Sequence, residues 1–150
     1  MKSAIEADLI AVCGMNCAVC SSYLSKKNDL KAKGIRLPFC SGCRSRHKNC
    51  SFLKKHCSKL SNNEVFFCFE CGVFPCDRLK RVDNRYQERY HMSLIGNLKL
   101  IKEIGLENFL FQQEKAWKCP TCGELICCHN GLCYNCQIEE LKNKKEKYRW

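Results

Sequence analysis

Apolar side chains recur at helical spacing in the middle of the chain, between two groups of cysteines. Leu79, Val82, Tyr86 and Tyr90 lie three or four positions apart and therefore share one face of a helix that starts near residue 77. The apolar pattern continues through residues 93–104 and stops at Gly105, a residue suited to ending a helix. A second helix is predicted over residues 106–117, so this cysteine-free segment is expected to be helical.

The flanking segments show weaker patterns. Residues 21–33 predict a helix that ends at Gly34, and residues 5–12 fit either a strand or a short helix. Residues 38–76 are expected to be rich in loops, as segments dense in metal ligands usually are. The charged residues 137–150 predict one short helix.

Cysteine dominates the composition, with 16 of 150 residues. These cysteines are counted in the 45% hydrophobic content, so the apolar core is thin and needs metal or covalent staples. No run approaches the roughly 18 apolar residues of a membrane span, and Glu6 and Asp8 stand where a secretory signal is apolar. The chain is therefore expected to be cytoplasmic, where a reducing environment favours metal thiolates over a disulfide framework.

The formal net charge of +11 suggests nucleic-acid binding. This charge must be reduced by the negative charge of the cysteine thiolates that bind metal. A zinc ion with four thiolates carries a net charge of about −2, so three such sites would leave about +5. The chain is then mildly basic, and its charge alone does not identify a partner.

Five Cys-x-x-Cys pairs are present, at 17/20, 40/43, 68/71, 119/122 and 133/136. Two thiolates at this spacing can bind one tetrahedral metal ion while backbone amides donate to their sulfurs. The C-terminal pairs, separated by ten residues, have the spacing of a zinc ribbon. Residues 125–129 predict a strand, and Asn130-Gly131 predicts a tight hairpin that brings the two pairs together. Cys127 and Cys128 are then spare, and His129 is expected at the surface beside the turn.

The ten cysteines of residues 13–76 can fill two four-coordinate sites with two left over. One arrangement joins Cys17 and Cys20 to Cys40 and Cys43, with Cys13 competing for that site. The other joins Cys68, Cys71 and Cys76 to Cys57 or Cys50. Three zinc ions are expected in all, with an iron–sulfur cluster in this N-terminal group as the alternative. The predicted metal ligands are Cys13, Cys17, Cys20, Cys40, Cys43, Cys57, Cys68, Cys71, Cys76, Cys119, Cys122, Cys133 and Cys136, with Cys50 as an extra candidate.

The predicted fold class is a small metal-stapled α+β protein. Residues 1–92 are predicted to form a cysteine-rich metal-binding domain of loops and helices, which includes the helix that begins near residue 77. Residues 93–118 are predicted to form a helical spacer. Residues 119–136 form a zinc-ribbon β-hairpin module, and residues 137–150 form a charged tail.

Three cysteine motifs stand out along the chain: CGMNCAVCSSY at 13–23, CSGC at 40–43 and FCFECGVFPCDRL at 67–79. Together they resemble a known prokaryotic family, the domain of unknown function 3795. LKLIKEIGLE at 98–107 and WKCPTCG at 117–123 are similar to longer members that append a ribbon. The gap between Cys50 and Cys57 departs from the family pattern. The resemblance implies a short cysteine-rich domain that binds two zinc ions, and it implies no activity.

Two classes of function compete. The favoured one is a non-catalytic zinc protein whose structural sites shape a binding surface, and no catalytic residue is predicted. Four arginines at 3-4-4 spacing form a stripe on the helix after residue 77, which could meet an acidic protein or phosphates; they are Arg78, Arg81, Arg85 and Arg89. The simpler interpretation is a solvated face with Asp77–Arg81 and Arg85–Glu88 ion pairs. A protein partner is favoured over nucleic acid, no membrane contact is expected, and the alternative function is an iron–sulfur or thiol redox protein.

Overall fold

The computed structural model describes residues 3–45, 57–62 and 64–150. In this part of the chain the elements are α-helices and short 3-10 turns. The helices are α1 (Ser21–Lys27), α2 (Ser58–Ser61), α3 (Asp77–Tyr90), α4 (Leu94–Ile104), α5 (Leu106–Ala116) and α6 (Ile138–Asn143). The 3-10 turns are Ala7–Leu9, Cys17–Val19 and Cys68–Glu70. None of the described helices combines the length and the apolar character needed to cross a lipid bilayer.

The middle segment is helical as expected, but it forms three helices where two were predicted. The continuous run over residues 77–104 is interrupted after α3, where His91 adopts a left-handed backbone with φ of 53°. The buried carboxylate of Asp83 explains the break, because it accepts hydrogen bonds from Ser93 Oγ (2.9 Å) and the Ile95 amide (3.1 Å). Ser93 Oγ in turn accepts from the Gly96 amide at 2.8 Å and caps α4.

The larger core cluster is built where α3, α4 and α5 pack against the N-terminal segment. α4 contacts both α3 and α5, and it also contacts the Cys68–Glu70 turn. α5 contacts the Ala7–Leu9 turn. The inward faces carry Leu79 and Val82 from α3, Leu94, Leu98 and Ile101 from α4, and Phe109 and Leu110 from α5, all buried. The predicted helical faces therefore hold the cysteine-bearing turns against a common apolar core.

The predicted α+β class and its zinc-ribbon β-hairpin are wrong. The described residues contain no β-strand, only isolated bridges that include Lys118–Leu125 and Ile126–Cys133. A tight type I′ hairpin needs positive φ at both central residues, and here Gly131 has it (φ 73°) while Asn130 does not. The amide of Cys128, moreover, donates to the carbonyl of Val19 at 2.8 Å instead of joining a hairpin ladder.

A second core cluster joins the C-terminal loop to α1 and the turns after it. Tyr134 and Cys127 are fully buried there among apolar side chains of both regions; these are Leu24, Leu30, Ile35, Leu37 and Leu141. Helix α1 is shorter than predicted, because it ends at Lys27 and tight turns carry the chain on to Gly34. The predicted domain boundaries remain a prediction. Within this second cluster, buried side chains from residues 1–92 pack against buried side chains from residues 119–136.

Candidate metal centre

Four C-terminal cysteines form a compact quartet. The Sγ atoms of Cys119, Cys122, Cys133 and Cys136 all lie within 4.8 Å of one another. Two of the separations are 3.6 Å, between Cys119 and Cys136, and 3.5 Å, between Cys122 and Cys133. A tetrahedral zinc ion with sulfur ligands at about 2.3 Å holds those sulfurs about 3.8 Å apart. The quartet can therefore hold a metal ion of this kind with little rearrangement.

Local backbone hydrogen bonds shape each half of the quartet. The Gly123 amide donates to the Cys119 carbonyl at 2.9 Å, and Gly123 has a φ of 80°, which favours glycine. In the second half, the Gln137 amide donates to the Cys133 carbonyl at 2.9 Å. The Gln137 side chain returns the contact, since its Oε1 accepts from the Cys133 amide at 2.8 Å. The two Cys-x-x-Cys loops are thus closed by short-range hydrogen bonds, and no β-hairpin is needed to position them.

The thiols of the quartet have pKa values that are shifted in opposite directions, and burial raises the pKa of Cys133. Backbone amides, first that of Cys122 and then that of Thr121, lower the pKa of Cys119 to about 6. The Asn135 side chain, as the largest influence, lowers the pKa of Cys122. Contacts with the neighbouring thiols of Cys133 and Cys119 raise the pKa of Cys136 to about 12. The four sulfurs therefore share protons that a metal ion displaces on binding, and soft thiolates suit zinc or an iron–sulfur cluster.

Five of the predicted N-terminal ligands line one cavity of about 160 Å³; they are Cys13, Cys17, Cys20, Cys40 and Cys43. The Cys17–Val19 turn and the start of α1 carry Cys17 and Cys20 to this cavity. Across it, the Cys43 amide lies 3.5 Å from Cys17 Sγ, and within the 40–43 loop the Gly42 amide lies 3.3 Å from Cys40 Sγ. The structure thus brings together the 17/20 and 40/43 pairs, with Cys13 beside them.

Cys57, Cys71 and Cys76 lie near enough to Cys68 to influence its pKa. Burial, followed by the nearby thiols of Cys13 and Cys57 and then those of Cys76 and Cys71, raises the pKa of Cys68 to about 12. The Cys68 amide donates to the Val12 carbonyl at 2.9 Å, which holds this group next to the cavity. Cys50 lies outside the described residues. None of the fifteen described cysteines is joined in a disulfide.

His129 is buried, so its predicted surface position is wrong. Its Nδ1 accepts a hydrogen bond from the Ser21 amide at 3.1 Å, and its ring packs edge-on against Tyr90 with centroids 4.6 Å apart. Burial lowers the pKa of His129 to about 4, so the ring is neutral. Sequence spacing gave no sign of this role, although Tyr86 and Tyr90 on the inner face of α3 mark the aromatic surface that receives the ring.

The arginine stripe lies on the outside of α3. Its four members, Arg78, Arg81, Arg85 and Arg89, are exposed. Within the described part of the chain, the ion pairs are Lys27–Glu124, Lys142–Glu139 and Arg149–Glu146. The stripe takes part in none of these, and the intrahelical pairs that offered a simpler explanation are not formed.

Comparison with known proteins identifies the N-terminal half. Residues 9–81 match the model of a family described as "Protein of unknown function (DUF3795)". The predicted resemblance is confirmed over these residues, and the match does not extend to the similarity predicted over residues 98–123. No curated protein and no solved structure matches the chain. The family match ends at residue 81, before the C-terminal quartet.

Proposed function

We propose that the protein is a zinc-organised binding module whose C-terminal quartet holds one structural zinc ion. The observation that carries this proposal is the mutual approach of the four Sγ atoms, all within 4.8 Å. Four cysteine ligands fill a tetrahedral zinc and leave no open position for substrate or water, which suits a structural role. The ion would fix residues 119–136 against α1 and so organise the surface around them.

We infer that the partner is an acidic protein surface that docks on the arginine stripe of α3. Four exposed guanidiniums on one helix face present fixed positive charge to carboxylates. Stacking on nucleic-acid bases is less well supported. Phe66, the most exposed phenylalanine among the described residues, has the Arg44 guanidinium 4.0 Å from its ring centre. Phe67 and Phe69 stack on each other at 5.3 Å.

The test compares two variants with the same change in charge. The stripe variant replaces Arg78, Arg81, Arg85 and Arg89 by glutamine. The control variant replaces four exposed lysines of the described surface by glutamine, at Lys99, Lys102, Lys115 and Lys118. Binding to a labelled poly-glutamate peptide and to generic oligonucleotides is followed by fluorescence anisotropy at several salt concentrations.

The stripe variant is expected to bind the acidic peptide about tenfold more weakly, since each exposed ion pair contributes roughly 0.2–1 kcal/mol. The control variant is expected to bind like the parent. Equal weakening of both variants would contradict a specific role for the stripe. Tight oligonucleotide binding that only the stripe variant loses, with a smaller salt slope, would identify nucleic acid as the partner instead.

A further inference from the structure

We infer that the cavity lined by Cys13, Cys17, Cys20, Cys40 and Cys43 is a site for an iron–sulfur cluster and does not fit one of the two zinc ions that the family resemblance implies. This inference rests on the proposed metal-binding function of the chain and assigns a different metal to its N-terminal half.

The spacing of the sulfurs differs between the two groups. Among the described residues, a set of three or more potential ligands that all lie within 4.8 Å of one another occurs only at the C-terminal quartet. That spacing matches the roughly 3.8 Å between the sulfurs of a mononuclear zinc site. The cavity cysteines face a common space without approaching one another in this way. Thiolates spread around a volume are suited to binding the corners of a polynuclear core.

The size of the cavity also favours a cluster over a single zinc ion. The cavity measures about 160 Å³, whereas a space of roughly 10–15 Å³ on this measure already admits one water-sized sphere. A single zinc ion bound directly by thiolates needs no such space between its ligands. The cavity therefore has room for more atoms than one bound ion, and iron–sulfur clusters are held by four cysteine thiolates.

The charged metal ligands that the cavity offers are cysteine sulfurs. Besides the five cysteines, the lining includes Met15, Leu94 and three residues with neutral hydroxyls, Ser22, Tyr23 and Tyr86, and it includes no carboxylate of the described residues. His129 also lines the cavity, but its Nδ1 accepts from the Ser21 amide. The neutral ring therefore carries its proton on Nε2, where it is a hydrogen-bond donor and cannot bind a metal. A set of cysteine thiolates selects copper(I), zinc or iron–sulfur clusters, and the spacing and volume favour the cluster.

Burial and amide donors further suit the site to a cluster. Cys13 is 1% exposed and Cys17 is 3% exposed, so water reaches their sulfurs poorly. The amides of Gly42 and Cys43 lie within 3.5 Å of cavity sulfurs and can donate to them. Such donors stabilise thiolates and tune the potential of a bound cluster. Five cysteines also leave one in excess, so loss of a single ligand can be compensated by the fifth.

The experiment uses the full chain, reconstituted without oxygen in a mixture of ferrous and ferric iron, sulfide and zinc. Such a mixture assembles the cluster core without net electron transfer, and each ligating thiol gives up its proton to the buffer. Iron, acid-labile sulfide and zinc are measured per chain, together with the visible absorption spectrum. The parent protein is expected to be brown and to contain iron and sulfide in equal amounts, together with zinc at the quartet.

Two variants assign the metals to their sites. Cys17→Ala with Cys40→Ala leaves three cavity cysteines, and we expect at least a tenfold loss of iron and sulfide with retention of the quartet zinc. Cys133→Ala should lose that zinc and keep iron and sulfide. A colourless parent whose cavity takes up zinc, lost in the double variant, would overturn the cluster assignment. Failure of the proposed structural zinc would be recognised separately, because Cys133→Ala would then leave the zinc content unchanged.

Discussion

Ser21 Oγ lies 2.8 Å from Tyr134 Oη, although the two residues are 113 positions apart in the chain. Ser21 follows Cys20 of the cavity, and Tyr134 follows Cys133 of the quartet. Both residues are fully buried, and Tyr134 Oη also accepts a hydrogen bond from Asn130 Nδ2 at 2.7 Å. This contact links the two cysteine groups directly, in a region from which water is excluded.

The Ser21–Tyr134 hydrogen bond is expected to stabilise the fold. Tyr134→Phe should lower the free energy of unfolding by about 1–3 kcal/mol, because it leaves buried polar partners unpaired. Ser21→Ala should cost a similar amount. In a double-mutant cycle measured by urea unfolding, the two substitutions should be coupled by about 1 kcal/mol. Additive effects of the two substitutions would show that the contact contributes nothing on its own.

His129 makes stability depend on pH. Its pKa is about 4 in the folded protein against 6.5 as the ordinary value, because burial disfavours the charged ring. Between these two pH values the unfolded chain binds the extra proton, so stability is fully present above pH 6.5 and falls as the pH drops toward 4. The parent should lose up to about 3 kcal/mol more than His129→Gln over this window.

The measurement is urea unfolding of both proteins at several pH values. Taking the difference between them cancels the effects of acid on the cysteines, which both proteins share. Parallel stability curves for parent and variant would show that His129 is not held neutral in the fold.

Gly14 is placed where a side chain has no room. Its φ is +90°, and a Cβ there would lie 2.4 Å from the Leu94 carbonyl oxygen and 2.8 Å from Leu98 Cγ. Gly14→Ala should therefore cost about 3 kcal/mol or more, because α4 must move away from the Cys13–Cys17 segment. Two other glycines serve as matched controls, again by urea unfolding.

Gly34 shares the positive φ, at +81°, but has open space around it, so Gly34→Ala should cost only about 1 kcal/mol. Gly72 has neither constraint, and Gly72→Ala should change stability by less than about 0.5 kcal/mol. Equal effects at Gly14 and Gly34 would mean that the close approach to α4 does not matter.

Sequence patterns correctly predicted the features that depend on residues close together in the chain. The quartet is built from two Cys-x-x-Cys loops, each closed by local contacts. Cys119 and Cys136 come together as their spacing predicted, although the hairpin between them does not form. The helical periodicity found α3 to α5 because their apolar faces form the core. The end of α3 was missed because it depends on the buried Asp83 carboxylate, whose partners lie ten and twelve residues away.

Long-range contacts explain the remaining errors. The predicted hairpin at Asn130-Gly131 competes with a hydrogen bond from the Cys128 amide to Val19, a residue more than a hundred positions earlier. The same contact turns His129 inward, where the Ser21 amide donates to its ring. Spacing also could not assign the ten N-terminal cysteines to sites, because their grouping depends on how α1 and the turns after it fold back.

The central claim is that the C-terminal quartet binds one zinc ion, and native mass spectrometry of the zinc-loaded chain tests it most directly. The parent is compared with Cys122→Ser, which removes an exposed quartet ligand, and with Cys127→Ser, which changes a cysteine of the same segment outside the quartet. We expect Cys122→Ser to carry one zinc ion fewer than the parent and Cys127→Ser to match the parent. An unchanged zinc count in Cys122→Ser would contradict the account.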